Sequence, residues 1–516
     1  MTPGRRLLLA PLSGLLLALC FPNASLLPLV PVALVPLMAA VSGAGVGDGL
    51  KLGWLFGFVF WLAAIPWIAY TVKTFGGVSW PLALLSLAIA AGIYAVPMAL
   101  MAGAVALVSP RSAPAVVLTW GAAWVVQEGF RTFWYIFGGF PWVLLGTVLA
   151  DHPLLVQTAA LGGVGLTSFL LTALNAALWV AVSRSTRRER LLWLAGATAA
   201  VGGVLAASGA RLRALPEGAP IARVGVVQPN VPQLLRWEEG TAGRQWGDLV
   251  AQTRRLVAHD RPDLVLWPES ASPFSWPWDA GYREGLTALA RELDVAFLVN
   301  TAWSDRPEEA GAPYTNAALL VTKEGAVLPP YSKQRLVPFG EYVPLGGLLR
   351  SIGPISRAVP GGFTPAARSE LLRLGSVRLG GAVCYEIVYP GIARAHVRAG
   401  ADVLFTLTND AWYGKMGARR QHFQAAVIRA VETGRPLVRA AITGISGAVD
   451  PAGRVIVTIG PDRKGAFAVP LPAPLPEPPA VALGESVLWV CAAGLGAAIL
   501  RRRAFPPRMP AEARAP

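Results

Sequence analysis

The pattern of apolar and polar positions changes twice along the chain, near Arg211 and near Pro478. Outside those points long apolar runs dominate. Between them short β-rich runs alternate with helical ones, each closed by Pro, Gly, Asn or Asp. A helix needs about 20 mostly apolar residues to cross a hydrocarbon core. Eight stretches are candidates: Leu7 to Phe21, Leu26 to Ala44, Leu52 to Val72, Trp80 to Val108, Ala113 to Gln127, Ala160 to Val182, Leu191 to Ala207 and Ala480 to Leu500. The expected layout is a bundle of seven spans in residues 1–215, an α/β domain in 216–475, and a last span with a basic tail in 476–516.

Within the middle segment the alternation predicts strands at Ala222 to Gln228, Leu264 to Trp267, Ala296 to Asn300, Ala317 to Val321, Gly375 to Val383, Val403 to Thr408, Val438 to Ala441 and Arg454 to Thr458. Helices are predicted at Gly243 to His259, Ala280 to Leu293, Gly391 to Arg398 and Arg420 to Thr433, the last stopped by Gly434 and Pro436. The proline-rich run Pro470 to Pro479 reads as a stiff linker into the last span.

Of the 516 residues, 54% are hydrophobic and 15% charged, too apolar a balance for an ordinary soluble enzyme. The net charge of +15 raises the question of nucleic acid. Its placement answers otherwise. With eight spans threaded, Arg5, Arg6, Lys51, Arg111, Arg184, Arg187, Arg188, Arg190 and Arg501 to Arg503 fall on one side, leaving Lys73 and Arg131 opposite. Cytoplasmic loops carry such an excess, so both termini are expected in the cytoplasm and the α/β domain on the outer face. The N-terminal run ending Leu17-Ala18-Leu19-Cys20 superficially resembles a lipoprotein cleavage box. Leu19 is too large for such a site, and a retained anchor is expected.

The three cysteines and four histidines form no disulfide framework and no metal spacing, so neither a metal nor a cofactor is expected. Four unusual segments fall at predicted strand ends. They are Trp267-Pro268-Glu269-Ser270, Tyr331-Ser332-Lys333 running into Leu336 to Glu341, Cys384-Tyr385-Glu386, and Thr408-Asn409-Asp410-Ala411-Trp412-Tyr413. Sites in α/β sheets collect where strands end. A thiol attacks a carbonyl as thiolate, so Cys384 needs a base, which Glu269 can be. Lys333 can stabilise the oxyanion of a tetrahedral intermediate, and Glu341 can hold the lysine or share its protons. Singly each residue has a plainer reading: a buried cysteine as a small core hydrophobe, Trp412 and Tyr413 as packing aromatics, Glu128 with Arg131 as an ion pair at the membrane edge rather than part of a substrate path. No histidine adjoins Cys384 in sequence, so any pairing of the two would arise only by folding.

As a set, these segments resemble the nitrilase superfamily over roughly Arg223 to Val469. Joined to the spans, and with Gln228-Pro229-Asn230, Trp237, Leu336 to Pro344, Phe140-Pro141-Trp142 and Leu145-Gly146, the chain resembles the apolipoprotein N-acyltransferase family. The resemblance implies an α-β-β-α sandwich with Glu269 as general base, Lys333 as oxyanion stabiliser and Cys384 as acylated nucleophile. It implies Glu341 as an essential support, with Trp237, Tyr385, Glu386, Asn409 and Trp412 around the site. It further implies a bacterial inner-membrane enzyme with a periplasmic catalytic domain. The acyl donor would be a phospholipid, phosphatidylethanolamine being expected, and the acceptor a diacylated apolipoprotein. One departure is Ile442, where the family more often carries a polar residue such as Asn. Phe130 to Trp142 and the apolar loop Val343 to Ile355 are candidate interfacial or gating elements. The rival readings are a membrane-tethered amidase that passes its acyl-enzyme to water, and a transporter or receptor with an outer binding domain. The near absence of charges within the spans argues against the latter.

Overall fold

The computed structural model describes residues 2–183, 186–214, 219–234, 240–309, 311–344, 362–368 and 370–504. The first part is helical: α1 (Pro3–Cys20), α2 (Val35–Val41), α3 (Val46–Ala64), α4 (Trp67–Phe75), α5 (Trp80–Val108), α6 (Ala113–Phe133), α7 (Pro153–Val156), α8 (Ala159–Ser183) and α9 (Arg187–Arg213). Five described helices, α1, α3, α5, α8 and α9, are long and apolar enough to cross a membrane by length and composition. The antiparallel-type packing of α3 on α5 has a visible sequence cause. Gly49, Gly53 and Gly57 recur every four residues on α3 and meet Ala95, Met98, Ala99, Ala102 and Ala106 of α5. A Cβ at Gly53 would fall 2.5 Å from the Met98 carbonyl oxygen, so only glycine permits this approach.

Three predicted spans are not single helices. Leu26 to Ala44 resolves into a 3-10 turn at Leu27–Leu29 and the seven-residue α2. Leu52 to Val72 is divided between α3 and α4 at Ile65 and Pro66, because proline removes a donor from the helix ladder. The run from Ala480 to Leu500 is split at Gly484 (φ +55°), as described below.

The α/β domain contains β1 (Ala222–Gln228), α10 (Ala242–Asp260), β2 (Leu264–Leu266), α11 (Ala280–Leu293), β3 (Ala296–Trp303), β4 (Thr315–Val321), β5 (Tyr331–Ser332), β6 (Leu372–Leu374), β7 (Val377–Val383), α12 (Pro390–Arg398), β8 (Val403–Thr408), α13 (Ala418–Thr433), β9 (Leu437–Ala441), β10 (Ser446–Val449), β11 (Val455–Ile459) and β12 (Gly465–Leu471). The chain ends in α14 (Pro479–Leu483) and α15 (Ser486–Ala504). Two sheets form, in the orders β12-β1-β2-β3-β4-β5 and β11-β10-β9-β8-β7-β6. In each, three central strands run parallel and antiparallel strands flank them. All eight predicted strands and four predicted helices of this domain are present within a few residues.

Side-chain alternation sorts the layers. On β3, Leu298 faces the second sheet in a core with Leu266, Val383 and Leu407, whereas Phe297 and Val299 pack on Leu249 of α10 and Leu286 of α11. The outer face of the second sheet is covered by α12 and α13, and α13 is buried along nearly its whole length. Ile392, Val397, Phe423, Val427 and Val431 share one continuous core with Trp142, Leu145, Val156 and Ala160 of the helical bundle. β5, β6, β10 and β12 are absent from the sequence prediction because two to four residues are too short to display a period, or because Gly and Pro interrupt it. Pro470 belongs to β12 and not to a linker; an edge strand paired on one side tolerates its missing N–H.

Charged groups are buried at the seam between bundle and sandwich. Glu432 of α13 accepts from the Val164 N–H at 2.5 Å and forms an ion pair with Arg429, whose Nε lies 2.8 Å away, while Arg394 of α12 reaches Glu485 and, at 4.0 Å, Glu432. Breaking one member of such a buried cluster costs about 3–5 kcal/mol, because the partner is left unpaired.

Candidate active site

Each unusual segment lies at the C-terminal end of a strand. Glu269 follows β2, Lys333 follows β5, Cys384 follows β7 and Asn409 follows β8. The sandwich therefore brings together residues far apart in sequence, where the loops of both sheets meet.

Lys333 is fully buried, and its Nζ lies 2.9 Å from Glu341 Oε1 and 3.8 Å from Glu269 Oε1. Burial alone would lower its pKa, but Glu341 and then Glu269, Cys384 and Glu386 outweigh this and hold it above the usual lysine range. The neighbouring carboxylates thus favour the ammonium form. The Asn316 amide of β4 donates to Glu269 Oε1 at 3.0 Å and to Glu341 Oε1 at 2.6 Å, and Asn316 itself accepts from Asn300 Nδ2 at 2.6 Å. The second Glu269 oxygen accepts from the Asn409 backbone N–H at 2.9 Å, and Glu341 Oε2 from the Val337 N–H at 2.7 Å. Both carboxylates are thereby aimed by fixed donors.

Cys384 is buried and has a left-handed backbone, φ +53°, where non-glycine residues are sparse and cost about 1–3 kcal/mol. Three sets of contacts hold that turn. Glu386 accepts from the N–H groups of Gln334 (2.6 Å), Arg335 (3.0 Å) and Val383 (2.8 Å) and from the Tyr331 hydroxyl (2.8 Å), tying the Lys333 loop to the Cys384 turn. His422 Nε2 lies 3.0 Å from the Cys384 carbonyl oxygen, and Nδ1 lies 3.0 Å from Asp410 Oδ1 and 3.1 Å from Arg439 Nη2. Arg439 also donates to Asp410 Oδ2 at 2.7 Å. Folding does bring a histidine to Cys384, but onto its carbonyl. The third contact comes from the bundle: the Tyr385 and Tyr389 hydroxyls donate to the Gly139 carbonyl at 3.4 and 3.0 Å, and the Tyr385 ring stacks on Trp142 and Phe140.

Burial raises the Cys384 pKa far above the usual thiol range, with the negative Glu269 adding to this and Lys333 opposing it. Burial thus favours the thiol, and nucleophilic attack requires a base at the moment of reaction. Among the described residues no cluster of His, Cys, Asp and Glu could hold a metal ion.

The other sequence candidates are placed as follows. Asn409 meets Glu269 through its backbone, while its side chain donates to Gln233 Oε1 at 2.7 Å. Trp412 is part-exposed and packs on Phe75 of α4 at 4.5 Å. Trp237 lies outside the described residues, as does the loop Val343 to Ile355 from residue 345 onward. The Glu128–Arg131 pair is structural: the two are 3.7 Å apart, and Arg131 donates to the Phe140, Trp142 and Val143 carbonyls, shaping the loop that carries Gly139. Of Phe130 to Trp142, Phe140 and Trp142 are core, whereas Trp134 and Phe137 are exposed. At Ile442 the backbone N–H donates to the Thr408 carbonyl, and its own carbonyl accepts from Asn230 N–H at 2.9 Å, so the loop is held without a polar side chain there. Asn300, Asn316, His422 and Arg439 lie outside the four segments that the sequence marks, whereas Asp410 lies within one. The one available signal was a polar residue amid the apolar residues of a strand, as Asn316 is in β4.

Residues 223–472 match the carbon-nitrogen hydrolase family, which defines the class of the sandwich, and residues 13–177 match the apolipoprotein N-acyltransferase N-terminal domain. An apolipoprotein N-acyltransferase of Geobacter metallireducens is 33% identical over 456 residues, covering 88% of this chain and 87% of that protein. One from Azotobacter vinelandii is 36% identical over 468 residues, covering 88% and 86%. Among solved structures, an amidase from Nesterenkonia sp. aligns at 20% identity and a TM-score of 0.38, covering 54% of this chain and 98% of that one. The chain belongs to the apolipoprotein N-acyltransferase family.

Proposed function

We propose that this bacterial membrane enzyme transfers a fatty acyl chain from a phospholipid, phosphatidylethanolamine foremost, to the α-amine of a diacylglyceryl-cysteine at the N-terminus of a lipoprotein. The observation that carries the reading is the meeting of Glu269, Lys333 and the Cys384 turn at the strand ends of a sandwich fused to an apolar bundle. Glu269 takes the Cys384 proton as the sulfur attacks the ester carbonyl. Lys333 stabilises the oxyanion, and the ester C–O bond breaks as Glu269 returns the proton to the departing lysophospholipid. The amine of the acceptor then attacks the thioester, loses a proton to Glu269, and forms the amide. The sulfur leaves and is reprotonated. Glu341 and Asn316 hold Lys333 and Glu269 in place, and Glu386 and His422 hold the nucleophile turn.

In this reading residues 1–215 form a seven-span bundle, 216–475 the periplasmic catalytic domain, and 476–516 a last span with a cytoplasmic tail. The arginine excess on one side supports that orientation. Keeping the site at the bilayer spares the cost, about 0.8 kcal/mol per methylene, of extracting an acyl chain into water.

The test is intact-mass analysis of the full chain in detergent with phosphatidylethanolamine. A gain of one acyl chain, released by hydroxylamine and lost in Cys384→Ala, is expected. An unmodified Cys384 during turnover would refute the mechanism. Ammonia release from small amides without an amine acceptor would replace it with the hydrolase reading.

A further inference from the structure

Arg335 stands two residues beyond Lys333, and its backbone is fixed by the 3.0 Å hydrogen bond from its N–H to Glu386. Its side chain is exposed. The guanidinium lies over the Tyr389 ring at 5.5 Å, and a Cβ built on Gly138 would lie 3.6 Å from Nη1, so the group sits at the Gly138–Gly139 turn of the bundle. Around it the surface is apolar. Phe137 and Phe339 are 40% and 43% exposed and meet edge-to-face at 5.8 Å, and the Tyr342 hydroxyl donates to the Phe137 carbonyl at 3.5 Å. Among the described residues no carboxylate forms an ion pair with Arg335, unlike buried Arg131, Arg394 and Arg439, which all have acidic partners. A fixed cation in an exposed aromatic rim, next to a site that takes acyl esters, has the chemistry to receive a phosphodiester. A guanidinium binds such a group through two parallel N–H donors.

We propose that Arg335 forms the subsite for the phosphodiester of the glycerophospholipid acyl donor, a reading that rests on the acyl-enzyme function above. The subsite orients the donor so that its ester carbonyl reaches Cys384. The diacylglyceryl-cysteine acceptor carries no phosphate, so Arg335 acts in the first half-reaction and is idle in the second.

The experiment compares two acyl donors with the full chain in detergent micelles: phosphatidylethanolamine, and p-nitrophenyl palmitate, which has no phosphate. Arg335→Gln is expected to slow acylation of Cys384 from phosphatidylethanolamine about tenfold or more and to leave acylation from the phosphate-free ester within about twofold. Arg335→Lys, which keeps the charge and loses the fork, should fall between. Transfer from preloaded acyl-enzyme to a diacylated lipopeptide should be unchanged in both variants. Equal slowing with both donors would reduce Arg335 to a structural residue and overturn the subsite, as would no slowing with either. A wild-type protein that acquires no acyl group from either donor would overturn the acyl-enzyme reading itself, an outcome separate from a loss confined to Arg335→Gln.

Discussion

Replacing Asn316 with Asp exchanges one amide for a carboxylate of the same shape and inverts the electrostatics of the site. The Asn316 amide now donates to Glu269 and Glu341 at 3.0 and 2.6 Å, with one buried cation, Lys333, shared between the two acids. In Asn316→Asp a third carboxylate would stand at those distances with no added cation. Carboxylates so close cannot all ionise, and a shared site separates their protonation by about three units. One proton must therefore be retained near neutral pH, and each fraction of time it resides on Glu269 removes the base. The acid limb of the pH–rate profile should move to higher pH by about 1–3 units, equivalent to a tenfold to thousandfold loss at a fixed pH on that limb. The assay is the rate of thioester formation on Cys384, followed by intact mass from pH 5 to 9, with Asn316→Leu as the uncharged control. The leucine variant also removes a donor from Glu269, which favours the protonated acid, so its acid limb should move the same way but by less than that of the aspartate variant. A profile for Asn316→Asp that superimposes on the wild type, with the protein folded, would refute the coupling of Asn316 to Glu269.

Two further predictions concern the groups around the nucleophile. Glu386→Gln would set an amide against four converging donors. Each hydrogen bond to a charged acceptor is worth about 1.5–3 kcal/mol, so a lower melting temperature and at least tenfold slower acylation are expected. Unchanged values in differential scanning fluorimetry and intact mass would show that the Cys384 turn is held by other contacts. His396 of α12 is buried against Tyr331, and burial pushes its pKa down from 6.5 to about 4. Since the folded state favours the neutral ring, its contribution is complete above pH 6.5 and is lost as pH falls toward 4, to a total of about 3 kcal/mol. His396→Gln should thus flatten the fall in melting temperature between pH 7 and pH 4.5; an identical slope in the two proteins would contradict this.

Of the strands that carry the site, β2, β7 and β8 were readable as apolar runs, while the two-residue β5 was not; the residues that end them, such as Glu269 and Cys384, are chemically unusual after an apolar run. The resemblance supplied roles that spacing could not. The supports were not readable. Asn316, His422 and Arg439 come from a strand, a helix and another strand, and their meeting with Glu269, Asp410 and Cys384 exists only in three dimensions. Hydropathy also misjudged continuity, reading Leu26 to Ala44 as one span when prolines at 28, 31 and 36 divide it. Hydropathy counts apolar residues but does not register where a backbone donor is missing.

The common core of α12 and α13 with the bundle bears on how the enzyme meets its substrates. A layer that would otherwise be wetted is packed against the helical bundle, so sandwich and bundle share one apolar core. Under the proposed reaction, substrates held in the bilayer reach a reaction centre joined to the bundle by sliding sideways within the leaflet. Encounter frequency then depends on lateral diffusion and on the crowding of the membrane, and thickening or stiffening the bilayer would slow catalysis without touching one residue of the site.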